Sequence, residues 1–300
     1  HHSGAALNDI LLAKACKEQG IDVTLITPRF FGESCKTEIE GIDVIRYGLQ
    51  DNRITRFLSM FDLIRHVGKG PKPDIIKFSG YGLKHAAIYF LISKLFPSIK
   101  LICMPAMYGG DDPDSLLKSK FGRFKLRQLH KSNAILCMNN VIKASFQKHG
   151  FSDSLLCSIR SAVDTEKFRP LNSKDKEYTR KRLGVSPNAF VIITVGTIKP
   201  RKNQSFVTRS FAKALNENLD REMLLIHVGA NSKDKGAHNA HIINQVYNEE
   251  QKIKKILEKE KIEERVILTG QKNNVNNYLQ IADVFVHASV EEGEANVINE

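Results

Sequence analysis

Apolar positions along the chain follow two alternating periods, one helical and one typical of short β-rich runs. From Leu7 to Gln19, the residues Leu7, Ile10, Leu11, Ala13 and Ala15 form an apolar stripe, and Gly20 is placed to cap a helix. Ile21 to Thr27 and Ile42 to Tyr47 are strand candidates. Lys69-Gly70-Pro71-Lys72-Pro73 breaks the chain ahead of a strand over Asp74 to Phe78. The pattern then predicts a helix over Tyr89 to Phe96, strands over Leu101 to Met104 and Ala134 to Met138, and a helix over Val141 to His149 capped by Gly150. Leu155 to Ile159 closes this first series. After Pro170 the alternation restarts. Arg180 to Leu183 ends a charged helix, Phe190 to Val195 is a strand and Ser205 to Leu215 a helix. Met223 to Val228, Gln251 to Glu260, Val266 to Leu268, Tyr278 to Ile281 and Val284 to Val286 continue it, and Ile281 to Ser289 as a whole reads as an apolar strand closed by a loop. Two βαβ series joined near Phe168-Arg169-Pro170 predict an α/β chain with two parallel-sheet domains, residues 1–170 and 171–300.

Composition sets bounds on this picture. Three hundred residues suit about two domains, and 42% hydrophobic with 26% charged residues describes an ordinary globular protein. Cys16, Cys35, Cys103, Cys137 and Cys157 are odd in number and widely spaced, with no Cys-x-x-Cys, so neither a zinc site nor a disulfide framework is expected. Most sit in apolar surroundings and read as buried thiols of a reducing compartment. The longest apolar run, His85 to Phe96, carries Lys94 and is too short to span a bilayer. A net charge of +12 points to nucleic acid, anionic lipid or phosphorylated ligands. No RNP-like, zinc-finger or helix-turn-helix signature is present, which disfavours nucleic acid.

Candidate chemistry lies in the second series. Glu292 and Glu300 are separated by seven residues, and Asn296 to Glu300 reads as the opening of a helix at the carboxyl end of a strand. Such a place holds phosphates, and two acids beside it can grip sugar hydroxyls. The plainer reading is an acidic turn before a solvated helix face. Lys202 follows the glycine turn at Gly196 and sets a point charge beside the start of the next helix, where an anion would bind; a solvated loop lysine is the alternative. Asp111 and Asp112 are either contacts for an acceptor's hydroxyls or the cap of a turn. Lys118 to Lys131 interleaves Lys118, Lys120, Arg123, Lys125, Arg127, His130 and Lys131 with Phe121, Phe124, Leu126 and Leu129. This suits an anionic membrane surface, or an ordinary helix packed by its apolar side, which Gly122 would weaken.

Taken together, Ser289-x-x-Glu292-Gly293 with the spacing to Glu300, Val195-Gly196-Thr197-Ile198-Lys199-Pro200-Arg201-Lys202-Asn203, Val163 to Pro170, and Leu268-Thr269-Gly270 with Ala282-Asp283-Val284 resemble, in order and spacing, the motifs of GT-B-fold retaining glycosyltransferases of the group 1 (family 4) type. The resemblance implies a GT-B fold of two facing Rossmann-like domains, with a first strand missing before His1 and the second domain incomplete at Glu300. It implies that Glu300 holds the ribose, Glu292 the donor sugar and Lys202 the diphosphate, with Glu292 and Lys202 catalytic. Gly4, Gly196, Thr197, Arg201, Gly270, Ala295, Asn296 and Val297 would complete the donor site. His1-His2-Ser3-Gly4-Ala5-Ala6 resembles the family's Gly-Gly-Ala segment. Thr197 stands where the family has arginine, Glu294-Ala295 replaces an aromatic-small pair, and no histidine follows the strand over Leu101 to Met104.

The activity so implied is retaining, metal-independent sugar transfer to a glycan or lipid-linked acceptor, with UDP-sugars the first choice of donor and co-substrate. No cofactor is expected. Polysaccharide or glycolipid synthesis, at the cytoplasmic face of a membrane, is the expected setting. A catalytically silent sugar-nucleotide binder, and a basic membrane-associated binding module, are the rival readings.

Overall fold

The computed structural model describes residues 4–29, 32–49, 53–217, 221–234, 240–292 and 295–300. His1, His2, Ser3, Gly293 and Glu294 lie outside the described residues. The chain forms two compact units, His1–Ala162 with Glu292–Glu294, and Val163–Glu291 with Ala295–Glu300. The division falls between Ala162 and Val163, ahead of Pro170.

In the first unit, helix α1 (Gly4–Glu18) precedes strand β1 (Thr24–Arg29), β2 (Lys36–Ile39) and β3 (Ile42–Leu49). β1 pairs with β3 in parallel, and β2 pairs with β3 antiparallel, so this small sheet is mixed rather than wholly parallel. The β2–β3 hairpin is closed by Glu40 and Gly41 at φ 52° and 80°, a left-handed pair whose twist matches that of the strands. Helix α2 (Arg53–Lys69) leads to β4 (Ile75–Ser79), α3 (Leu83–Leu95) and β5 (Lys100–Met104). Then come α4 (Pro113–Lys118), α5 (Gly122–Leu129), β6 (Ala134–Cys137), α6 (Asn140–Lys148) and β7 (Leu156–Ser158). β4 to β7 form a parallel sheet in sequence order. Tyr89, Ile92, Leu129, Ile135 and Phe146 fill the core around it.

The basic stretch is not one helix. Phe121, at φ 60°, breaks it between α4 and α5. Gly122 is required there, because a Cβ would lie 2.5 Å from the Leu116 carbonyl oxygen and 2.7 Å from Leu117 Cα. Of the five cysteines only Cys103 and Cys137 are buried; Cys35 and Cys157 are exposed, so the expectation of buried thiols fails for them.

The second unit carries α7 (Ser173–Arg182), β8 (Phe190–Val195), α8 (Gln204–Glu217), β9 (Met223–Val228) and α9 (Ala240–Glu260). It continues with β10 (Val266–Leu268), α10 (Val275–Ile281), β11 (Val284–Phe285) and α11 (Asn296–Asn299). All four strands are parallel, in the order β10-β9-β8-β11. The apolar run from Ile281 to Ser289 is not a single strand, since Ile281 still belongs to α10 and only Val284 and Phe285 pair with β8. Val191, Ile193, Val228 and Ile281 pack on one side of the sheet, and Phe211, Leu225 and Ile253 on the other.

Candidate functional site

Strand order reverses at β8, with β9 and β10 on one side and β11 on the other. In open parallel sheets, ligands bind outside the carboxyl ends of the strands at such a reversal. Here Thr194 and Val195 at the end of β8 and Val286 to Ser289 after β11 line a shallow cleft at that place, with Lys202 and Gln204 on its wall.

Gly196 begins the turn after β8 at φ 145°. A Cβ on it would sit 3.3 Å from Lys202 Cε and 3.4 Å from Cδ, so the lysine stem lies over the bare glycine. Lys202 ends the short turn Pro200–Lys202, and Asn203 at φ 57° starts the chain into α8. Thr197 turns its carbonyl to the Gln204 side-chain amide, 3.1 Å away. Arg201 spends its guanidinium on the Glu291 carbonyl, and its own carbonyl accepts from the Val290 amide at 2.9 Å. It therefore fastens the loop after β11.

The start of α8 is partly occupied from within. The Ser205 amide donates to Glu249 Oε1 at 3.2 Å, so a buried carboxylate takes a place at the helix N-terminus where an anion was expected. Burial alone would raise that carboxyl's pKa, but the Ser205 hydroxyl and amide and the Lys252 ammonium outweigh it and hold Glu249 below the usual range.

Gly229 and Gly270 close the far side of the sheet's end. Gly229 donates to the Gly270 carbonyl at 3.1 Å, and a Cβ on Gly229 would meet the Gly196 carbonyl oxygen at 2.1 Å. Asp234 Oδ2 accepts from the Asn231 amide at 2.8 Å and the Gln271 amide at 3.0 Å, stapling the loops beside Gly270.

Ala295, Asn296 and Val297 open α11 and are half-buried. Glu300, also half-buried, has its pKa raised by burial, against the opposing field of Lys167. Gly196, Thr197, Arg201, Lys202, Gly270, Ala295, Asn296, Val297 and Glu300 all belong to the second unit. Glu292 is half-buried and falls with the first unit, as does Gly4, the first residue of α1.

In the first unit Asp112 is fully buried and caps α4, accepting from Ser115 N at 3.1 Å, Ser115 Oγ at 2.7 Å and Gly109 N at 2.7 Å. The capped-turn reading holds for it. Asp111 accepts from the Ala106 amide at 2.9 Å, and burial raises its pKa.

Residues that pattern alone does not mark complete the second unit. Arg180 donates to the carbonyls of Ile281, Pro187 and Ala189 and pairs with Asp283 at 2.7 Å. Asp283 Oδ2 in turn accepts from Val191 N at 2.8 Å, setting β11 beside β8. Among the described residues no cluster of side chains is arranged to hold a metal ion, and no helix is long and apolar enough to cross a membrane.

Residues 175–300 match the family Glycosyl transferases group 1. A UDP-Gal:alpha-D-GlcNAc-diphosphoundecaprenol alpha-1,3-galactosyltransferase of Escherichia coli is 28% identical over 163 residues, which is 53% of this chain and 37% of that enzyme. The chain's match thus spans well under half the length of that relative. Among solved structures, Anabaena Alr3699/HepE in complex with UDP and glucose matches with a TM-score of 0.69 at 15% identity, over 96% of this chain and 71% of that one. WaaG, a glycosyltransferase involved in lipopolysaccharide biosynthesis, matches with a TM-score of 0.64 at 14% identity, over 99% and 75%. Residues 175–300 are thus similar to the group 1 glycosyltransferases, and the chain has the GT-B fold of the solved structures it matches.

Proposed function

We propose that the protein transfers a sugar, with retention, from a nucleotide-diphosphate sugar to a glycan or lipid-linked acceptor. The observation that carries this is the crevice at the β8/β11 reversal with Lys202 laid across Gly196 on its wall. A cation fixed at the carboxyl ends of parallel strands suits a leaving diphosphate, whose charge grows in the transition state. Glu300 binds the ribose hydroxyls, Glu292 the donor sugar, and Ala295 to Val297 contribute amides. Arg201 fastens the loop of Glu291 rather than replacing the family's arginine at Thr197. UDP is the favoured nucleotide, because the galactosyltransferase relative takes UDP-Gal and the HepE structure holds UDP. That relative's diphosphoundecaprenol acceptor supports a lipid-linked one here. An anionic membrane face fits the same reading, since Phe90, Phe121 and Phe124 are exposed beside Lys131 and Lys120, whose ammonium groups lie 5.2 Å and 5.3 Å from the Phe90 and Phe121 rings. The chemistry requires no cofactor or metal, and the protein works at the cytoplasmic face.

Calorimetric titration of the full-length protein with UDP-, GDP- and ADP-sugars, with hydrolysis followed in parallel, tests the reading. One donor should bind saturably and lose binding in Glu300→Ala, while Lys202→Ala abolishes turnover with the fold intact. Absence of binding by all three donors, or unchanged turnover in Lys202→Ala, refutes it. Binding of a donor without transfer to any acceptor would instead favour a silent binder, the reading that the uncharged Thr197 suggests.

A further inference from the structure

We infer that Gln204 is the positioning residue of the diphosphate clamp, closing the turn from Gly196 to Lys199 and so seating Lys202. This rests on the donor-site reading of the second unit. Gln204 opens α8 and is only 2% exposed. Its Nε2 donates to the carbonyls of Gly196 and Thr197, both at 3.1 Å, and its Oε1 accepts from the Lys199 amide at 3.4 Å. A primary amide has two N–H donors and one carbonyl acceptor. Each donor meets one carbonyl at the start of the turn, and the acceptor reaches its other end.

Gln204 is itself held from behind. Thr208 Oγ1 donates to the Gln204 carbonyl at 2.9 Å. Having given its only proton, that hydroxyl accepts from His227 Nε2 at 2.9 Å, which leaves His227 Nδ1 to accept from Thr194 Oγ1 at 3.4 Å. Burial lowers the His227 pKa to about 4, so this neutral tautomer persists.

The consequence falls on Lys202. Its stem packs 3.3 to 3.6 Å from the place a Gly196 Cβ would fill, so Gly196 forms part of the surface on which the lysine rests. Gln204 holds that surface through the Gly196 carbonyl. Remove the side-chain amide and two carbonyls lose their donors, the turn relaxes, and the lysine loses its seat. Ser289 Oγ, buried in the same crevice, has no hydrogen-bond partner among the described residues and is a donor available to a ligand.

The test is calorimetry on the full-length protein with UDP, GDP and ADP and with the matching nucleosides. The proteins compared are the wild type, Gln204→Ala, Gln204→Glu, Lys202→Ala and Lys202→Ala with Gln204→Ala. Gln204→Glu keeps the volume and the acceptor but turns an oxygen toward the two carbonyls. Both Gln204 variants should bind the cognate diphosphate about tenfold more weakly, the effect of one hydrogen bond to a charged ligand group, with nucleoside affinity unchanged. In the Lys202→Ala background, Gln204→Ala should cost nothing further, because its effect runs through the lysine. Additive losses, equal losses of nucleoside and diphosphate, or undiminished diphosphate binding would each overturn the role of Gln204. A wild type that binds none of the three diphosphates overturns the donor-site reading itself, and the role of Gln204 with it.

Discussion

Arg180 stands in a run of charges, Lys174 to Arg182, that reads as a charged helix. It is 6% exposed, and its guanidinium serves three carbonyls and the Asp283 carboxylate. A planar fork of five donors fits such a set, whereas a lysine's point charge does not. Arg180→Ala should therefore destabilise by about 3 kcal/mol, the order found on breaking a buried pair, and Arg180→Lys should recover only a small part. Urea titration measures both; a loss within error for Arg180→Ala would show that water replaces the guanidinium. This role was hidden in the sequence because Ile281 and Asp283 lie 101 and 103 residues away and its nearer partners are backbone carbonyls. The same holds for Gln204, Asp234 and Glu249, whose partners are backbone amides or carbonyls that no side-chain motif records. The glycine turn at Gly196 beside Lys202 and the helix start at Asn296 were legible because each is a local pattern after a strand.

At the scale of elements, the strands of the second unit were read nearly residue for residue. Phe190–Val195 and Met223–Val228 are apolar almost throughout, as buried parallel strands are. The antiparallel β2 escaped, since Lys36-Thr37-Glu38-Ile39 has one apolar residue and gains its place from the Glu40-Gly41 turn. Helix α9 begins well before Gln251; Val246 is buried there, but Glu249 and Glu250, buried as well, interrupt the apolar stripe between it and Ile253. The break between α4 and α5 shows propensity and packing in conflict. Alanine suits a helix better than glycine by about 1 kcal/mol. At Gly122, however, a Cβ would press on the main chain of Leu116 and Leu117, which cannot swing away. Gly122→Ala should destabilise by about 2 kcal/mol, as overpacking does, with the loss seen in thermal unfolding. A higher melting temperature would mean that the backbone yields and propensity wins.

For the molecule as a whole, the buried titratable groups make acid the vulnerable side. Burial holds His227 near pKa 4, against an ordinary value of 6.5. A depressed folded-state pKa means that the unfolded chain takes up the proton first, so stability is full above pH 6.5 and falls as pH drops toward 4. The shift corresponds to about 3 kcal/mol over that window. His85 is lowered to about 4 by burial and by Lys84, and adds loss in the same window. Glu249, Glu250 and Asp283, each held below its usual value by hydrogen bonds and cations that outweigh burial, extend the loss below pH 4.5. Asp111 and Glu300, raised by burial, act in the opposite sense. They are fewer, and the net charge of +12 grows further as carboxylates protonate, which adds repulsion. The melting temperature should therefore fall steadily from pH 7 to pH 4, and His227→Gln, though less stable at pH 7, should show a shallower fall between pH 6.5 and 4. Equal slopes in the two proteins would show that His227 does not carry the acid sensitivity, leaving it to the carboxylates and the net charge.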